Sequence, residues 1–452
     1  MHVHSQQEKE ILKDLGDGLV LRRATRADAE ALAAFNSLIH QNEETHEPDE
    51  YVAAWTRDLL EKPHPTFQPG DFTIVEDTRQ GKIVSSLNLI SQTWSYGGIP
   101  FGVGRPELVG TLPEYRNRGL IRLQFETIHA WSAERGEMMQ AITGIPYYYR
   151  LFGYEMALPL GGGRYGFQPQ VPKLKEGEQE PYRFRAATEA DIPLISALYN
   201  RANQRYLVHC EWNDSLWHYE LTGRSPQNVN RTELCIIETS QGEPVGYLGH
   251  PIMNWGQMMI ANTYELKPGV SWAEVTPSVI RFLITTGERL AKQDKHTDEI
   301  NSFGFWMGNA HPVYEVLHDR LPRVRPTYAW YIRIPDLPGF LRHISPFLEE
   351  RLAASPLNGH SGEFKVTFYR SGLRLVLEKG RLAKIEPYQP TPVGHAGDAA
   401  FPGLTFLQLL MGYRSLDELK FAFADCFYEN DEIYALLNIL FPKQNSDIWP
   451  IS

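Results

Sequence analysis

Cysteine is scarce in this 452-residue chain, and its scarcity excludes two kinds of site. The three cysteines, Cys210, Cys235 and Cys426, are odd in number and lie far apart. Neither a disulfide framework nor a zinc site fits this spacing, because both use closely spaced sets of cysteines. We therefore expect three buried thiols in a reducing compartment and no metal site.

Long apolar runs and blocks of like charge are also missing. No window reaches the ~18 consecutive apolar residues of a membrane-spanning helix. Residues 1–18 are polar and charged, so we expect no signal peptide and a cytoplasmic location. The 44 basic and 55 acidic side chains give a net charge of −11 without a basic stretch, which argues against nucleic-acid binding.

The chain contains enough apolar material for several cores. Hydrophobic residues make up 42% and aromatic residues 12%, which is typical of a globular protein. The length predicts roughly three domains of ~150 residues. Strand-like runs at residues 72–76, 83–91 and 138–145 alternate with a helical pattern at 29–39, so we expect a mixed α+β fold.

A strand, a basic turn and a helix follow one another in the middle of the first third. Residues 108–112 suit a buried strand, and Pro113 ends it because proline cannot donate to a sheet. A basic turn, Arg-Asn-Arg-Gly at 116–119, precedes apolar residues at helical spacing: Leu120, Ile121, Phe125, Ile128 and Trp131. Such a turn points free N–H groups and the positive end of the helix dipole at one spot, which predicts a phosphate-type anion site.

The turn resembles a known signature. Arg116-x-x-Gly119-x-Ile121 is similar to the (Arg/Gln)-x-x-Gly-x-(Gly/Ala) motif of the Gcn5-related N-acetyltransferases (GNAT), in which the loop binds the pyrophosphate of acetyl-coenzyme A. Ile121 departs from the small residue that the family prefers, but a bulky residue is familiar in the enhanced-intracellular-survival (Eis) type branch. An ordinary turn with two solvated arginines is the alternative interpretation.

The resemblance implies a set of donor-binding residues. In the family, the pantetheine arm of coenzyme A pairs like an extra strand with the strand before the loop. That role falls to Val109 and Thr111 here, although any strand has free edge groups somewhere. The loop residues implied to hold the pyrophosphate are Arg116, Asn117, Arg118, Gly119, Leu120 and Ile121.

Residues 149–154 read Tyr-Arg-Leu-Phe-Gly-Tyr and lie in a predicted short helix at 146–154. They resemble the Tyr-x-x-Phe-Gly-Tyr motif of the family, whose first tyrosine looks like the general acid in the Eis-type branch. A phenol of pKa ≈ 10 can protonate a leaving thiolate near neutral pH, so Tyr149 is the implied acid. The alternative is that Tyr149 only packs among the neighbouring aromatic side chains.

The chain repeats its opening motif once. Residues 182–191 mirror residues 19–28, with Arg185, Ala187, Thr188, Ala190 and Asp191 at the places of Arg22, Ala24, Thr25, Ala27 and Asp28. A repeat one domain long predicts a duplicated fold. The second copy lacks the anion loop, because Trp272 and Glu274 stand where it would bind a phosphate. We therefore expect a structural second half.

Three domains follow from these patterns: a catalytic GNAT domain at 1–165, a degenerate GNAT-like domain at 166–335, and a third at 336–452. The third carries predicted helices at 340–352, 415–426 and 432–440, and a hairpin across residues 363–378. It resembles the sterol-carrier-like domain that closes the Eis-type chain. A shorter helix at 309–317 resembles the last helix of the family in the second copy.

The final residues include Trp449 and Ile451, which are apolar enough to be held against the protein. In the Eis-type branch the C-terminal carboxylate acts as the base on the acceptor amine, and Ser452 would supply it here. Serine departs from the aromatic or apolar residue usual in the branch. The branch also implies a homo-oligomer, often a hexamer.

Three functions remain open at this point. The first is an acetyl-coenzyme A-dependent N-acetyltransferase acting on a primary amine such as an aminoglycoside, a lysine side chain or a polyamine. The second is a non-catalytic acyl-coenzyme A scaffold or sensor, and the third is a lipid carrier. Glu43, Glu44 and Glu47 border the expected acceptor cleft and could attract ammonium groups, or could form a solvated acidic turn.

Overall fold

The computed structural model describes residues 10–41, 46–293, 299–391 and 397–452. The α-helices in these ranges are α1 (Ala29–Ile39), α2 (Glu50–Glu61), α3 (Leu120–Glu134), α4 (Ile192–Asn203), α5 (Asp214–His218), α6 (Trp272–Gln293), α7 (Val313–Val316), α8 (Leu337–His343), α9 (Ser345–Ala353), α10 (Phe406–Leu410), α11 (Leu416–Ala422) and α12 (Asp431–Leu440).

The strands of the first half are β1 (Ile11–Gly16), β2 (Leu19–Arg23), β3 (Phe72–Asp77), β4 (Lys82–Tyr96), β5 (Ile99–Thr111), β6 (Met139–Ile142), β7 (Glu155–Leu160), β8 (Gly163–Phe167), β9 (Tyr182–Ala186) and β10 (Val208–Cys210). Those of the second half are β11 (Thr232–Thr239), β12 (Pro244–Pro251), β13 (Met258–Ala261), β14 (Thr263–Leu266), β15 (Ser302–Phe305), β16 (Arg323–Arg325), β17 (Tyr328–Arg333), β18 (Gly362–Thr367), β19 (Gly372–Glu378), β20 (Arg381–Tyr388), β21 (Ala399–Ala400) and β22 (Phe427–Tyr428).

The first sheet joins strands that are distant in the chain. Its order within the described ranges is β1-β2-β3-β4-β5-β6-β17-β7, and β10 pairs with β4. β17 is antiparallel to both of its neighbours, β6 and β7. The strand that completes this sheet therefore comes from far downstream, between two strands that are close in sequence.

Helices cover both faces of the first sheet. Leu89 of β4 packs in one apolar cluster with Phe125 and Ile128 of α3, whereas the next residue, Ile90, belongs to the cluster that contains Leu32 of α1. Successive side chains of a strand point to opposite faces. α3 therefore lies on one face and the α1–α2 pair on the other.

The N-terminal segment forms a strand that the sequence does not predict. Residues 11–16 read as a polar start but form β1, which pairs with β2. This edge strand is exposed along most of its length, and Ile11 keeps 61% of its surface, so its sequence carries no buried alternation. As a result, the basic turn follows the fifth strand of the chain.

The repeated opening motif adopts the same local structure in both copies. Arg22 makes a bidentate pair with Asp28 and a second ion pair with Glu76. In the second copy, Arg185 makes the same pair with Asp191 and reaches Glu238. Each threonine of the motif caps its short helix through the same aspartate. The duplication predicted from the sequence therefore extends to side-chain geometry.

The second half of the chain forms two further sheets in the described ranges, β14-β12-β11-β9 and β13-β15-β8-β16. α6 packs on β9, β13 and β15. It begins at Trp272, whose ring contacts Tyr264 and His311. Trp272 stands where the first copy would bind a phosphate, and its own ring thus fills that space. The predicted helix at 309–317 is shorter than expected, because only Val313–Val316 is α-helical after Pro312.

The last part builds a sheet ordered β20-β19-β18-β21-β22 in the described ranges, and the predicted hairpin is β18–β19. Residues 340–352 were expected as one helix, but α8 and α9 are separate. Pro346 lies in the first turn of α9 and has no N–H to continue the α8 ladder. The helix expected at 415–426 ends at Ala422, and Ser415 caps its start.

Two strands do not respect the boundaries of the three predicted domains. β8 spans the boundary at 165/166, and β17, from 166–335, completes the first sheet. The boundaries remain predictions. No helix in the described part of the chain combines the length and apolar character needed to span a membrane.

The two copies of the Arg–Asp pair predict different losses of stability. Arg22 is only 2% exposed at its side chain, whereas Arg185 is 39% exposed. Asp28→Asn should lower the free energy of unfolding by about 3 kcal/mol, since it leaves a buried cation with fewer partners. Asp191→Asn should cost about 1 kcal/mol or less, because water can solvate Arg185. Urea unfolding of both variants measures the difference, and equal losses would contradict the argument.

Candidate active site

An irregularity in β5 opens the first sheet. Ser86 of β4 pairs with Gly110, but Asn88 pairs with Glu107, so β5 carries an extra residue between these pairs. Leu108, within this bulge, has a φ of 53°. A bulge bends its strand and increases the local twist. β5 pairs with β6 only at Val103 and Gly104 in the described structure, so the two strands are unpaired after that point.

A cavity of about 810 Å³ occupies the resulting gap. Its walls come from the end of α1, the second half of β5, the basic turn, the start of α3, the end of β6 and the short helix after β6. The predicted site residues among its lining are Val109, Thr111, Arg116, Asn117, Arg118, Gly119, Leu120, Ile121 and Tyr149. Elements far apart in sequence thus bring the two predicted motifs into one cavity.

The basic turn has the backbone geometry of an anion nest. Asn117 and Gly119 both lie in the left-handed region, at φ of 60° and 75°. The N–H of Leu123 donates to the carbonyl of Gly119, which leaves the N–H groups of residues 120–122 without intrahelical acceptors. These groups and the helix dipole face the cavity, as binding of a phosphate requires. A Cβ on Gly119 would meet no atom within 4 Å, so the turn leaves room beside it.

Arginines surround the nest. The Nε of Arg116 donates to the Thr111 carbonyl at 3.3 Å, and the guanidinium of Arg118 lies 5.1 Å from the centroid of the Tyr115 ring. Both side chains are exposed, and neither has a carboxylate partner among the described residues. Their charges are therefore available to an anion. Arg122 also lines the cavity and lies over Phe152.

The second half of β5 offers an open strand edge. Past Gly104, its side towards β6 has no strand partner in the described structure, and the cavity begins there. Val109 is half-buried, and the Thr111 hydroxyl shares a 2.7 Å hydrogen bond with Ser85. An extended chain can add to such an edge through main-chain hydrogen bonds.

Tyr149 lies in the short 3₁₀ helix Tyr148–Phe152 and is 7% exposed. Its ring packs against Phe125 and Tyr331. Its hydroxyl has no hydrogen-bond partner among the described residues. Burial raises the pKa of Tyr149, so the phenol stays protonated at neutral pH. A Cβ at Gly144 would overlap the Tyr149 ring, so only glycine allows this packing.

Glu107 and Arg105 are site residues that the sequence interpretation missed. The Glu107 side chain is 14% exposed and lines the cavity, and Arg105 pairs with it at 2.6 Å. Burial raises the pKa of Glu107, and the Arg105 charge partly offsets that rise. Two opposite charges at positions i and i+2 of an otherwise apolar strand point to the same face of the sheet. This pattern in the sequence could have identified both residues.

The C-terminal tail reaches the other side of Arg105. Arg105 donates to the Ile451 carbonyl at 2.8 Å and to the Ser452 hydroxyl at 2.7 Å. Arg224 donates to the Ser452 main-chain oxygen at 3.1 Å. Ser452 does not itself line the cavity in the described structure, but Arg105 connects it to Glu107, which does.

His129 of α3 does not line the cavity in the described structure. His129 shares a 2.8 Å hydrogen bond with the Tyr154 hydroxyl, and burial lowers its pKa to about 4, so it is a neutral packing residue. Glu43 and Glu44 lie outside the described residues. Glu47 is exposed and does not line the cavity.

Comparison with known proteins adds to this geometry. Residues 20–157, which contain β5, the basic turn and Tyr149, match the family model described as an acetyltransferase (GNAT) domain. This part of the chain is a GNAT acetyltransferase domain. GNAT domains take their acetyl group from acetyl-coenzyme A, so the chain is an acetyl-transferring enzyme. No curated protein matches the chain.

Several solved structures share the fold of nearly the whole chain. A probable N-acyltransferase from Enterococcus faecalis is 14% identical, with a TM-score of 0.62, over 96% of this chain and 100% of that one. A GCN5-related N-acetyltransferase from Kribbella flavida is 16% identical, with a TM-score of 0.59, over 95% and 97%. An Eis protein from Mycobacterium abscessus is 12% identical, with a TM-score of 0.54, over 98% and 99%. The predicted fold class, a mixed α+β tandem GNAT fold with a further domain, is confirmed.

The nest generates a prediction about the acetyl donor. Arg116→Ala and Arg118→Ala should each weaken coenzyme A binding by about 1.5–3 kcal/mol, the contribution of a hydrogen bond to a charged group. Gly119→Val should weaken it more, because it strains the left-handed turn and blocks the phosphate. Calorimetry measures the affinities, with Arg79→Ala, an exposed arginine outside the cavity, as the control. Unchanged affinity in all three variants would exclude this loop as the donor site.

Proposed function

We propose that the chain is an Eis-like N-acetyltransferase that moves the acetyl group of acetyl-coenzyme A to a primary amine. The observation that carries the proposal is the single cavity that joins the anion nest, the open edge of β5 and the unpaired hydroxyl of Tyr149. The acceptor belongs to the amines of aminoglycosides, lysine side chains or polyamines.

In this proposal the donor is held by backbone and charge together. The pyrophosphate takes the free N–H groups at the start of α3, with Arg116 and Arg118 beside it. The pantetheine arm runs along the open edge of β5 past Val109 and Thr111. The thioester then ends near the bulge, where Tyr149 and Glu107 line the cavity.

The reaction is direct transfer. The amine nitrogen attacks the thioester carbonyl carbon, the C–N bond forms, and the C–S bond breaks. The leaving thiolate of coenzyme A takes a proton from the Tyr149 hydroxyl, which its raised pKa keeps available at neutral pH. The proton lost by the amine goes to a carboxylate. Tyr149 recovers its proton from solvent before the next turnover.

Two carboxylates can act as that base. The first is the Ser452 carboxylate, ionised at neutral pH because its unperturbed pKa is ≈ 3.5, acting through water. Contacts of the last two residues with Arg105 and Arg224 support an ordered tail. The second is Glu107, which lines the cavity and whose raised pKa makes it a stronger proton acceptor. Arg105 pairs with the Glu107 carboxylate and donates to the Ser452 hydroxyl, whereas Arg224 donates to the Ser452 main-chain oxygen.

A non-catalytic acyl-coenzyme A scaffold is the alternative function. The unpaired Tyr149 hydroxyl beside the nest favours the enzyme, since a packing tyrosine in a buried site usually finds a hydrogen-bond partner. A lipid carrier would need an apolar cavity in residues 336–452. The sterol-carrier-like character of that region is part of the same proposal, supported by its sheet flanked by helices.

The proposal includes the predicted organisation of the chain. Residues 1–165 form the catalytic domain, 166–335 the degenerate GNAT-like domain and 336–452 the third domain. The repeated Arg–Asp motif supports the first two. A homo-oligomer, hexameric as in the Eis-type branch, and a cytoplasmic location also belong to it.

Replacing Tyr149 by phenylalanine tests the chemistry. The variant keeps the ring packing and removes the proton donor, so kcat should fall by ~10²–10⁴ while coenzyme A affinity stays nearly unchanged. Free thiol release from acetyl-coenzyme A, measured over a panel of aminoglycoside, lysine and polyamine amines, gives kcat and the acceptor class.

Tyr148→Phe is the matched control, because Tyr148 lines the same cavity on the same short helix. It should keep most of its activity. Normal kcat in Tyr149→Phe would make Tyr149 a packing residue. No thiol release with any amine, despite tight coenzyme A binding, would favour the scaffold.

Deleting Ile451 and Ser452 tests the tail. The new carboxylate would lie several ångströms away, since an extended residue spans ~3.4 Å. Coenzyme A binding should persist, and acetyl transfer should fall by ~10²-fold or more, as expected for a lost general base. Ser452→Ala is the control, because it keeps the terminal carboxylate and removes only the hydroxyl bonded to Arg105.

A truncated chain with normal turnover would exclude the tail carboxylate. Glu107→Gln then decides, since it keeps the shape of the side chain and removes the second base. The raised pKa of Glu107 places the acid limb of the pH–rate profile above the ordinary pKa of glutamate, and Glu107→Gln should remove that limb. A pH profile unchanged in Glu107→Gln would exclude this residue.

A further inference from the structure

The two copies of the duplicated fold differ at one position with a large effect on shape. Arg23 follows Arg22 in the first copy and pairs across the sheet with Thr73. Ala186 follows Arg185 in the second copy and pairs with Cys235. By this register, Ala186 stands at the place of Arg23. The substitution removes a long side chain from between the sheet and its helix.

The first copy shows what the arginine does. The Arg23 guanidinium lies 3.7 Å from the centroid of the Trp131 ring on α3 and covers it. In the second copy no such cover exists in the described structure, and a cleft of about 490 Å³ opens between β9, β11, β12 and α6. This volume lies in the range of small-molecule sites.

Apolar and aromatic side chains form one part of the cleft wall, and polar side chains form the rest. Phe184 of β9 and Phe282 of α6 stack with ring centroids 4.2 Å apart and an interplanar angle of 17°. Both line the cleft, together with Pro226, Leu234, Ile252 and Leu290. A flat apolar body fits beside such a pair, because aromatic rings favour stacked or edge-to-face contacts.

A cation stands at the rim. Arg289 on α6 is exposed and lines the cleft, and it has no carboxylate partner among the described residues. The other two charged side chains of the lining are already paired, Arg185 with Asp191 and Glu233 with Arg231. The uncompensated charge of the cleft is therefore positive, which favours an anion.

A hydrogen-bond acceptor lies deeper in the same cleft. His250 is 4% exposed, and its Nδ1 is 2.9 Å from the Pro251 carbonyl. A carbonyl only accepts, so Nδ1 carries the hydrogen. Burial lowers the pKa of His250, so the ring is neutral and Nε2 keeps a lone pair. Nε2 has no partner in the described structure, and it suits a hydroxyl donor.

We infer that this cleft of the second copy is a binding site for an aromatic monocarboxylate that carries a hydroxyl group. The ring lies against the Phe184–Phe282 pair, the carboxylate meets Arg289, and the hydroxyl donates to Nε2 of His250. The site is separate from the acetyl-donor cavity, with which it shares no lining residue. Its occupancy does not depend on acetyl transfer.

Calorimetry on the full chain with para-hydroxyphenylpropionate tests the inference. The wild type should bind it, and Ala186→Arg, which restores the residue of the first copy, should weaken binding at least tenfold by filling the cleft. Arg289→Gln should weaken it about tenfold or more, because a charge-assisted hydrogen bond is lost. Phenylpropionate, which lacks the hydroxyl, should bind about three- to tenfold less tightly.

Para-propylphenol, which lacks the carboxylate, is the matched probe for Arg289. Its affinity should be the same in the wild type and in Arg289→Gln. Thermal unfolding and circular dichroism check that each variant folds. If Ala186→Arg does not fold, Arg289→Gln decides, because its side chain is exposed. No binding to the wild type, or equal binding of the acid to the wild type and to a folded variant, would overturn the inference.

Discussion

The bulge in β5 is the constraint on which the rest of the site depends. A regular strand would have continued its pairing with β6 and closed the sheet. Because Leu108 takes a positive φ and one extra residue is accommodated, β5 turns away after Gly104 and leaves an open edge. The anion nest, the open edge and Tyr149 then meet in one space. The cavity is thus a consequence of backbone pairing, and the side chains make use of it.

Charge is handled differently inside the sheet and around the cavity. The buried guanidinium of Arg22 pairs with the carboxylates of Asp28 and Glu76, and these two ion pairs stabilise the N-terminal part of the fold. Arg105 is also buried but divides its donors between Glu107, at the cavity, and the C-terminal tail. A single guanidinium therefore links the end of the chain to the reacting region. Because the same guanidinium contacts Glu107 and the tail, the position of the tail depends on the charge of Glu107, and the reverse also holds.

Duplication followed by divergence explains the contrast between the halves. Both copies keep the Arg–Asp pair and the threonine cap, because these hold the strand of the motif to the start of the helix that follows it. At the place of the anion nest, the second copy puts the ring of Trp272 against Tyr264 and His311. It loses the arginine over the helix and gains a cleft at Ala186 instead. The second copy thus has an open cleft at the position where an arginine side chain covers the helix in the first copy.

The sequence by itself determined the features that depend on neighbouring residues: the strand–turn–helix around Gly119, the tyrosine motif at residues 149–154, the repeat and the mixed fold class. It missed β1, whose exposed edge carries no hydrophobic alternation, and the break at Pro346. Only the tertiary structure decided that β17 completes the first sheet, that Glu107 faces the cavity and that the tail contacts Arg105. Those features depend on pairing register and on contacts between residues that are distant in the chain. Such contacts produce no periodic pattern in the sequence from which they could be predicted.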